Sequence, residues 1–256
     1  MKIIHMLMGK QQLLLLSMPN NGSDWLADTL INSQDGVKYS REFFNPATNH
    51  EFADKLNEAF GSEYIISYKN IMTCDNNKCL DVFVNTWNKK KYNFTKENYS
   101  CAKVSFFKNH FNCFALVRSI KESFPCSRRT SVNYWYLSIY QSIIDNKGIL
   151  PYLIQSKIDH FISKTKKIEE KVIFAYCIYR EIFLSECQKN SVPVLDYKFL
   201  MEKNELEICD YLKKINIPLN YDAWAKEVFE TRKYNKRDFK TLKCDWVIED
   251  YCSIMV

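Results

Sequence analysis

Residues 13–26 of the chain, LLLLSMPNNGSDWL, decide how the rest of the sequence is interpreted. Four leucines lead into a proline, two asparagines and Gly22, and a helical pattern follows. A continuous apolar run that ends in turn residues predicts a buried strand over about residues 11–18, a tight loop, and a helix over about residues 23–32. Because the first backbone N–H groups of a helix have no partner within it, such a loop is a place where an anion can bind.

The composition suits one folded α/β domain, which we expect to span residues 1–256. Hydrophobic residues make up 46% of the chain and aromatic residues 15%, so a disordered chain is excluded. The 36 basic and 30 acidic residues leave a net charge of +6, and residues 232–243 form the densest basic stretch. Nucleic-acid-binding surfaces are usually more basic. A solvated lysine-rich surface and a local anion site therefore remain as interpretations, and no nucleic-acid partner is expected.

The ten cysteines are scattered and contain no CxxC pair. Several of them, such as Cys113, Cys177 and Cys209, fall in apolar patterns, where a free cysteine packs as a small hydrophobic residue. This distribution predicts neither a disulfide framework nor a metal site, and it favours a reducing, cytoplasmic compartment. Polar residues interrupt the N-terminal apolar stretch, and no apolar run approaches the length of a membrane span. We therefore expect neither a signal peptide nor a membrane-spanning segment.

Apolar runs alternate with helical patterns along the rest of the chain. The predicted elements are a strand over residues 113–117, a helix over 121–144 interrupted near Pro125, an amphipathic helix over 166–190, a short strand over 192–195 and a helix over 202–214. The aromatic residues of 47–100 indicate packed helices. This alternation predicts a three-layer α/β sandwich with a central, mostly parallel sheet. Ligands of such sheets bind beyond the carboxyl ends of the strands, where both the loop and Arg118 fall.

The loop resembles the 5′-phosphosulfate loop of sulfotransferases that use 3′-phosphoadenosine 5′-phosphosulfate (PAPS). The family pattern runs Pro-Lys/Arg-Ser-Gly-Ser/Thr-Thr-Trp, and Pro19, Gly22, Ser23 and Trp25 match it in spacing. The GxxxxGK[ST] pattern is absent, so this is not a Walker A loop. The resemblance implies that the loop amides, with Gly22 and the Ser23 hydroxyl, hold the 5′-phosphate of the cofactor, and that Trp25 supports the adenine.

Two positions of this loop depart from the family pattern. Asn20 stands where the family has a lysine or arginine, so a cation that would neutralise the leaving phosphate is missing. Asp24 suits the helix dipole but competes with a bound anion. Asn21, between them, is included in the predicted cofactor loop. The departures leave two interpretations open: an active sulfotransferase, or an impaired relative that binds adenosine bisphosphate or a protein partner.

The segment after the second predicted strand resembles the family's 3′-phosphate site. The family has an arginine at the strand end and a serine about eight residues later, a donor set that suits a phosphate. Arg118 fits the first position, while Cys126 occupies the eighth and Ser127 follows it. The resemblance implies that Arg118 and Ser127 bind the 3′-phosphate. Arg232 and Lys233 are candidates for the family's late basic loop over the same phosphate, and a solvated basic helix is the alternative.

Glu42 and Lys103 are the candidate catalytic residues. Residues 41–46, REFFNP, look like the Glu-Phe-Phe segment of bacterial carbohydrate sulfotransferases of the trehalose-sulfating kind, in which a nearby glutamate is the proposed base. A carboxylate in a dry cleft can take the proton of an acceptor hydroxyl. The alternative for Glu42 is a surface residue beside two core phenylalanines. Lys103 precedes the second strand, where the family often has a lysine, and it would supply the charge that Asn20 lacks.

Residues 190–220 resemble the family's later strand, its Tyr-Glu-x-Leu turn and the following helix, with Lys198 in place of the glutamate. The whole resemblance implies a P-loop-like sulfotransferase fold and PAPS as the sulfuryl donor, with no metal. It also implies a small-molecule or carbohydrate acceptor with a hydroxyl or amine. The implied reaction is an in-line displacement that depends on positioning and charge stabilisation. No motif indicates which acceptor is used or what the oligomeric state is.

Overall fold

The computed structural model describes residues 12–41, 92–98, 103–123, 130–235 and 245–253. Within them, five strands form one all-parallel sheet. The strands are β1 (Gln12–Ser17), β2 (Tyr39–Arg41), β3 (Phe94–Glu97), β4 (Phe111–Val117) and β5 (Val194–Asp196). Their order across the sheet is β2-β3-β1-β4-β5, which places β1 in the centre. Since all five strands run the same way, their carboxyl ends share one edge of the sheet.

The helices connect these strands in chain order. They are α1 (Ser23–Ser33), α2 (Val104–Lys108), α3 (Ile120–Ser123), α4 (Thr130–Asp145), α5 (Tyr152–Ile162), α6 (Ile168–Lys189), α7 (Tyr197–Glu202), α8 (Glu205–Leu212), α9 (Tyr221–Thr231) and α10 (Asp245–Ser253). Short 3₁₀ helices cover Lys147–Ile149, Lys213–Ile215 and Arg232–Asn235. Within the described residues, no helix is both long enough and apolar enough to cross a membrane.

The four leucines of β1 are shared between two cores because side chains alternate along a strand. Leu14 and Leu16 pack with α4, α5, α6 and α10 on one face of the sheet. Leu13 and Leu15 pack with α1, α8 and α9 on the other face. Helices therefore cover both faces, an arrangement compatible with a three-layer α/β sandwich. Burial on both sides explains why β1 is continuously apolar rather than alternating.

The chain leaves β1 and β4 in opposite directions across the sheet. These strands are neighbours, with Ser17 opposite Leu116 in the register. From β1 the chain continues to β2 at one edge of the sheet, and from β4 it continues to β5 at the other edge. Where two adjacent parallel strands have connections that diverge, a crevice opens beyond their carboxyl ends. The loop after β1 and Arg118 after β4 both lie at this point.

Most of the predicted elements are confirmed, with small shifts of their ends. These are the strands over 11–18 and 113–117, the helices over 23–32 and 166–190, and the parallel sheet. The helix predicted over 202–214 is wrong at its start, since α7 ends at Glu202 and α8 begins after a capping box formed by Asn204 and Glu207. Within 47–100, residues 94–97 form a strand instead of a helix. Pro125 and residues 47–91 lie outside the described residues.

Candidate functional site

Residues 18–22 connect β1 to α1 through two residues in the left-handed region. Asn20 has a φ of 69° and Gly22 a φ of 87°. Glycine adopts this conformation without a steric penalty. A Cβ atom at Gly22 would also collide with the ring of Tyr197, whose Cδ2 would stand 2.8 Å away. The glycine that the sequence pattern singles out is therefore required by the turn and by its neighbour.

The first turn of α1 presents backbone N–H groups at the carboxyl edge of the sheet. Gly22 caps the helix without a side-chain hydrogen bond, and the first helical bond runs from the N–H of Leu26 to the carbonyl of Gly22 at 3.1 Å. The N–H groups of Ser23, Asp24 and Trp25 precede it and have no acceptor in the part of the chain that the structure describes. Such a row of donors suits an anion.

A buried polar cluster ties the loop to the corner that follows β4. Asn21 is fully buried, and its Oδ1 lies 3.0 Å from the hydroxyl of Ser123 and 2.9 Å from that of Tyr176. Desolvation raises the pKa of Tyr176 to about 12, so this phenol is a neutral donor. The Nδ2 atom of Asn21 has no hydrogen-bond partner among the described residues. A buried donor without an acceptor is uncommon in folded proteins and calls for an explanation.

Ser23 is held by a different contact. Its hydroxyl donates to Oδ1 of Asn98, which directly follows β3, at 3.0 Å. Ser23 and Asn98 are both buried, 3% and 6% exposed. The loop is therefore fixed on both sides, by Asn98 next to β3 and by the cluster next to α3.

Arg118 lies at the same edge, where a tyrosine ring separates it from the loop. Arg118 is 4% exposed, and its guanidinium carbon lies 4.3 Å from the centroid of the Tyr197 ring. Trp25 meets the same ring edge-on, at a centroid distance of 5.7 Å. Tyr197 begins α7 directly after β5. The two predicted corners thus come together at one edge of the sheet, and the Tyr197 ring packs among Gly22, Trp25 and Arg118.

The carboxylate of Asp24 is paired with a lysine. Lys96, on β3, forms an ion pair with it through Nζ. Lys96 is 1% exposed, whereas the Asp24 side chain is 61% exposed. One turn further along α1, burial raises the pKa of Asp28, an effect that Arg41 partly opposes. The negative charge that the sequence places beside the loop is therefore matched by a cation from the neighbouring strand.

Lys103 lies within electrostatic reach of the later part of α6. It precedes α2, and burial lowers its pKa while the nearby carboxylate of Glu186, on α6, opposes that shift. Tyr176 is the residue of α6 that touches the loop, and from Tyr176 to Glu186 the helix axis advances about 15 Å at 1.5 Å per residue. The expectation that Lys103 supplies the charge missing at Asn20 stays a prediction. Lys96 is the lysine that the structure places beside α1.

The late basic segment lies next to Trp25. Arg232 and Lys233 begin the 3₁₀ helix that follows α9. Thr231, just before them, accepts a hydrogen bond from Nε1 of Trp25 at 3.0 Å. The guanidinium of Arg232 donates to the carbonyl of Lys203, at the end of α7. One donor of Arg232 is therefore already used by a backbone carbonyl.

Glu42 and Ser127 lie outside the described residues, and so does Cys126. The predicted base and the predicted serine of the 3′-phosphate site therefore remain predictions. Pro19 and residues 20–25 occupy the loop and the first turn of α1, as the sequence pattern predicts.

Lys96, Tyr176 and Tyr197 belong to the site, although no sequence pattern selects them. Lys96 belongs to a strand whose Thr-Lys-Glu sequence gives no apolar run, and Tyr176 lies within a long amphipathic helix. Tyr197 starts the Tyr-x-x-Leu turn that the family resemblance includes only as a feature of the fold. The turn is therefore the one sequence signal that could have found Tyr197. Lys96 and Tyr176 are placed by tertiary packing, for which the local sequence gives no signal.

The comparisons with known proteins add no relative to these observations. No protein-family model, no curated protein and no solved structure matches the chain. The functional argument therefore depends on the geometry of the site and on the residues that the loop pattern selects.

Proposed function

We propose that the chain is a sulfotransferase that takes its sulfuryl group from PAPS. The observation that carries this proposal is the row of N–H groups of Ser23, Asp24 and Trp25, which have no acceptor in the described part of the chain and lie at the carboxyl end of β1. An 11-residue helix whose first N–H groups have no acceptor among the described residues is suited to bind a phosphate at its N-terminus. The crevice between the diverging connections of β1 and β4 is where α/β proteins bind ligands. The P-loop-like sulfotransferase fold remains part of the proposal.

The 5′-phosphate of the cofactor would lie over the start of α1. The three N–H groups would face it, and the Ser23 hydroxyl would turn to it from Asn98. Lys96 would supply the cation that the family loop carries at the position of Asn20. Preorganised donors and a buried cation stabilise charge that develops on a leaving group more effectively than water does. The burial of Lys96, at 1% exposed, supports this assignment.

The nucleoside and its 3′-phosphate would extend toward Tyr197 and Arg118. Trp25 would support the adenine, and Arg118 would bind the 3′-phosphate, with Ser127 as a predicted contributor. The N–H donors of a guanidinium lie in its own plane. The guanidinium carbon of Arg118 lies 4.3 Å from the centroid of the Tyr197 ring, and the 3′-phosphate would meet the edge of this guanidinium.

Sulfuryl transfer would proceed as an in-line displacement. The acceptor oxygen or nitrogen forms a bond to sulfur as the bond from sulfur to the 5′-phosphate oxygen breaks, and adenosine 3′,5′-bisphosphate leaves. The proton of the acceptor passes to a base, for which Glu42 remains the candidate. Lys96 and the loop amides would stabilise the charge that builds on the leaving phosphate.

Binding of adenosine 3′,5′-bisphosphate tests the site directly. A ligand that binds only the folded chain raises Tm by an amount that grows with the logarithm of its concentration over its Kd. We therefore expect the bisphosphate to raise Tm and ATP with Mg²⁺ to do so much less. In calorimetry, Arg118→Ala should weaken bisphosphate binding about 30-fold or more, since a buried charged hydrogen bond is lost. Lys121→Ala is the matched control, because Lys121 is an exposed cation of the adjacent helix. Absence of any shift at millimolar bisphosphate contradicts the proposal.

An impaired relative that binds the bisphosphate without transferring sulfate is the second candidate. The Asp24–Lys96 ion pair favours it, since this pair engages the cation that catalysis would use. Assays of sulfate transfer to sugars, phenols and peptides distinguish the two. An active enzyme should lose about 100-fold in turnover in Glu42→Gln while it keeps its affinity for the bisphosphate. Binding without transfer to any acceptor supports the impaired relative.

A further inference from the structure

The carboxylate of Asp24 and the ammonium of Lys96 meet beside the N–H groups proposed to hold the phosphate. Asp24 is itself one of the residues that contribute these N–H groups, as the second residue of α1. Lys96 comes from β3, which pairs directly with β1. An anion placed over the start of α1 would therefore approach the same ammonium that Asp24 already contacts.

The two partners differ in how firmly they are held. Lys96 is almost fully enclosed, whereas the side chain of Asp24 is 61% exposed. A carboxylate with that exposure can leave a contact and be solvated at little cost. The lysine has no such freedom, and a buried ammonium gains from any anion that comes within reach. Asp24 thus covers the cation and is the partner that can move.

A second buried donor lies in the same loop, on the side that faces α3 and α6. Nδ2 of Asn21 is buried in the loop, and no acceptor for it exists among the described residues. This donor without an acceptor and the N–H groups of the first turn can each donate a hydrogen bond to an anion. Asp24 satisfies Lys96 but, in the described contacts, none of these donors.

We infer that Asp24 is a resident counter-ion, which holds Lys96 while the site is empty and is displaced when a phosphate binds. This inference rests on the proposed function, because it describes how that site is regulated. In the empty protein the pair keeps the buried lysine satisfied. In the bound protein the phosphate takes over Lys96, and Asp24 turns to solvent. Displacing Asp24 costs part of the binding free energy, so this residue weakens affinity for the anion that it stands in for.

Calorimetric titration of Asp24→Asn with adenosine 3′,5′-bisphosphate and, separately, with inorganic sulfate tests the displacement. We expect Asp24→Asn to bind both anions about tenfold more tightly than the unaltered chain, since one competing charge is removed from the site. The matched control is Asp28→Asn, which removes the same charge from the next turn of α1. It should change affinity less, because Asp28 makes no ion pair in the described part of the chain and is affected by Lys96 only at longer range.

Asp24→Asn leaves Lys96 buried without this counter-charge, and a second variant tests the inference if that protein does not fold. Lys96→Met removes the cation and leaves Asp24 solvated, and it should weaken binding of both anions about tenfold or more. Unchanged affinity in Lys96→Met overturns the inference.

The outcomes separate the inference from the proposed function. If the unaltered chain binds the bisphosphate and Asp24→Asn binds it equally or less well, the ion pair is a brace for the loop, and the inference fails while the function stands. If only sulfate binds, and more tightly to Asp24→Asn, the displacement holds and the nucleotide assignment falls. If no variant binds either anion, both are overturned.

Discussion

Two buried lysines of this chain are paired in contrasting ways. Lys157, on α5, donates to both carboxylate oxygens of Glu181, at 3.0 and 2.8 Å, and lies 4.8 Å from the centroid of the Tyr251 ring. Lys96 forms an ion pair with Asp24 at the carboxyl edge of the sheet. The side chain of Glu181 is 25% exposed and that of Asp24 61% exposed.

The difference separates a cation that holds the fold together from one that is held ready for another anion. The cluster around Lys157 joins α5, α6 and α10, and the hydroxyl of Tyr251 also donates to Glu181. Every partner there belongs to a packed helix. At Lys96 the partner carboxylate, that of Asp24, is mostly exposed to solvent. It lies beside the first N–H groups of α1, which have no acceptor among the described residues. A buried ion pair whose partner is enclosed is a packing element, whereas one with an exposed partner is a candidate for exchange.

The largest expected effect is on stability, from the pair among the helices. Glu181→Gln leaves Lys157 buried without a counter-charge and should lower the free energy of unfolding by about 3 kcal/mol, or Tm by roughly 8 °C. Thermal unfolding measures this directly. Glu202→Gln is the control, since Glu202 is an exposed partner of Lys198 at 3.8 Å and its loss should cost under about 0.5 kcal/mol. Equal losses of stability in Glu181→Gln and Asp24→Asn would erase the distinction between the two lysines.

A glycine comparison tests how rigidly the loop beside Lys96 is set. Gly22→Ala should destabilise the fold by about 2 kcal/mol, because a left-handed φ of 87° strains alanine and its Cβ meets the Tyr197 ring. Gly148 has open space around its Cα, so Gly148→Ala should change stability by under about 0.5 kcal/mol. Chemical denaturation of both variants provides the measurement. Two equal changes would mean that the loop tolerates other conformations.

The smallest expected effect concerns a partly exposed cluster of His160, Lys164 and Asp250 in the same helical region as Lys157. His160 and, next, Lys164 hold the pKa of Asp250 below its usual 3.8. A carboxyl whose pKa is depressed in the folded chain stabilises it above the unfolded pKa, and that stabilisation is lost as pH falls. Asp250→Asn should therefore cost about 0.5 kcal/mol at neutral pH. The difference in Tm between the two proteins should shrink as pH falls below about 4, and a difference that stays constant down to pH 3 would remove the titration of Asp250 as its cause.

The sequence predicts the elements whose apolar residues are buried in a regular pattern along the element. The leucines of β1 and the apolar run of β4 are enclosed on both faces, and α6 repeats its apolar positions at helical spacing, so their patterns are strong. In β3 the pattern fails because Lys96 and Glu97 are each 1% exposed. Charged residues buried at the end of a strand satisfy tertiary partners that a local pattern does not contain. The break between α7 and α8 could have been predicted from the sequence, since Asn204 and Glu207 have the spacing of a capping box, which marks the start of a helix.

The site was predictable only where it depends on chain neighbours. The loop and Arg118 follow from strand ends, whose positions a parallel sheet fixes. The Asn21–Tyr176 and Arg118–Tyr197 contacts join segments far apart in the chain, so packing of α6 and α7 determines them. The role of Lys103 stays a prediction, because its proximity in sequence to β4 does not fix where its side chain lies.

The central position of β1 has a consequence for the timing of motion around the loop. A strand with hydrogen-bonded neighbours on both sides opens only when the sheet itself comes apart, and its amide hydrogens exchange with solvent accordingly slowly. We expect the amides of Leu14, Leu15 and Leu16 to be among the last to exchange. Residues 18–22 directly follow this strand in the chain. The loop therefore begins at the part of the sheet that we expect to open last.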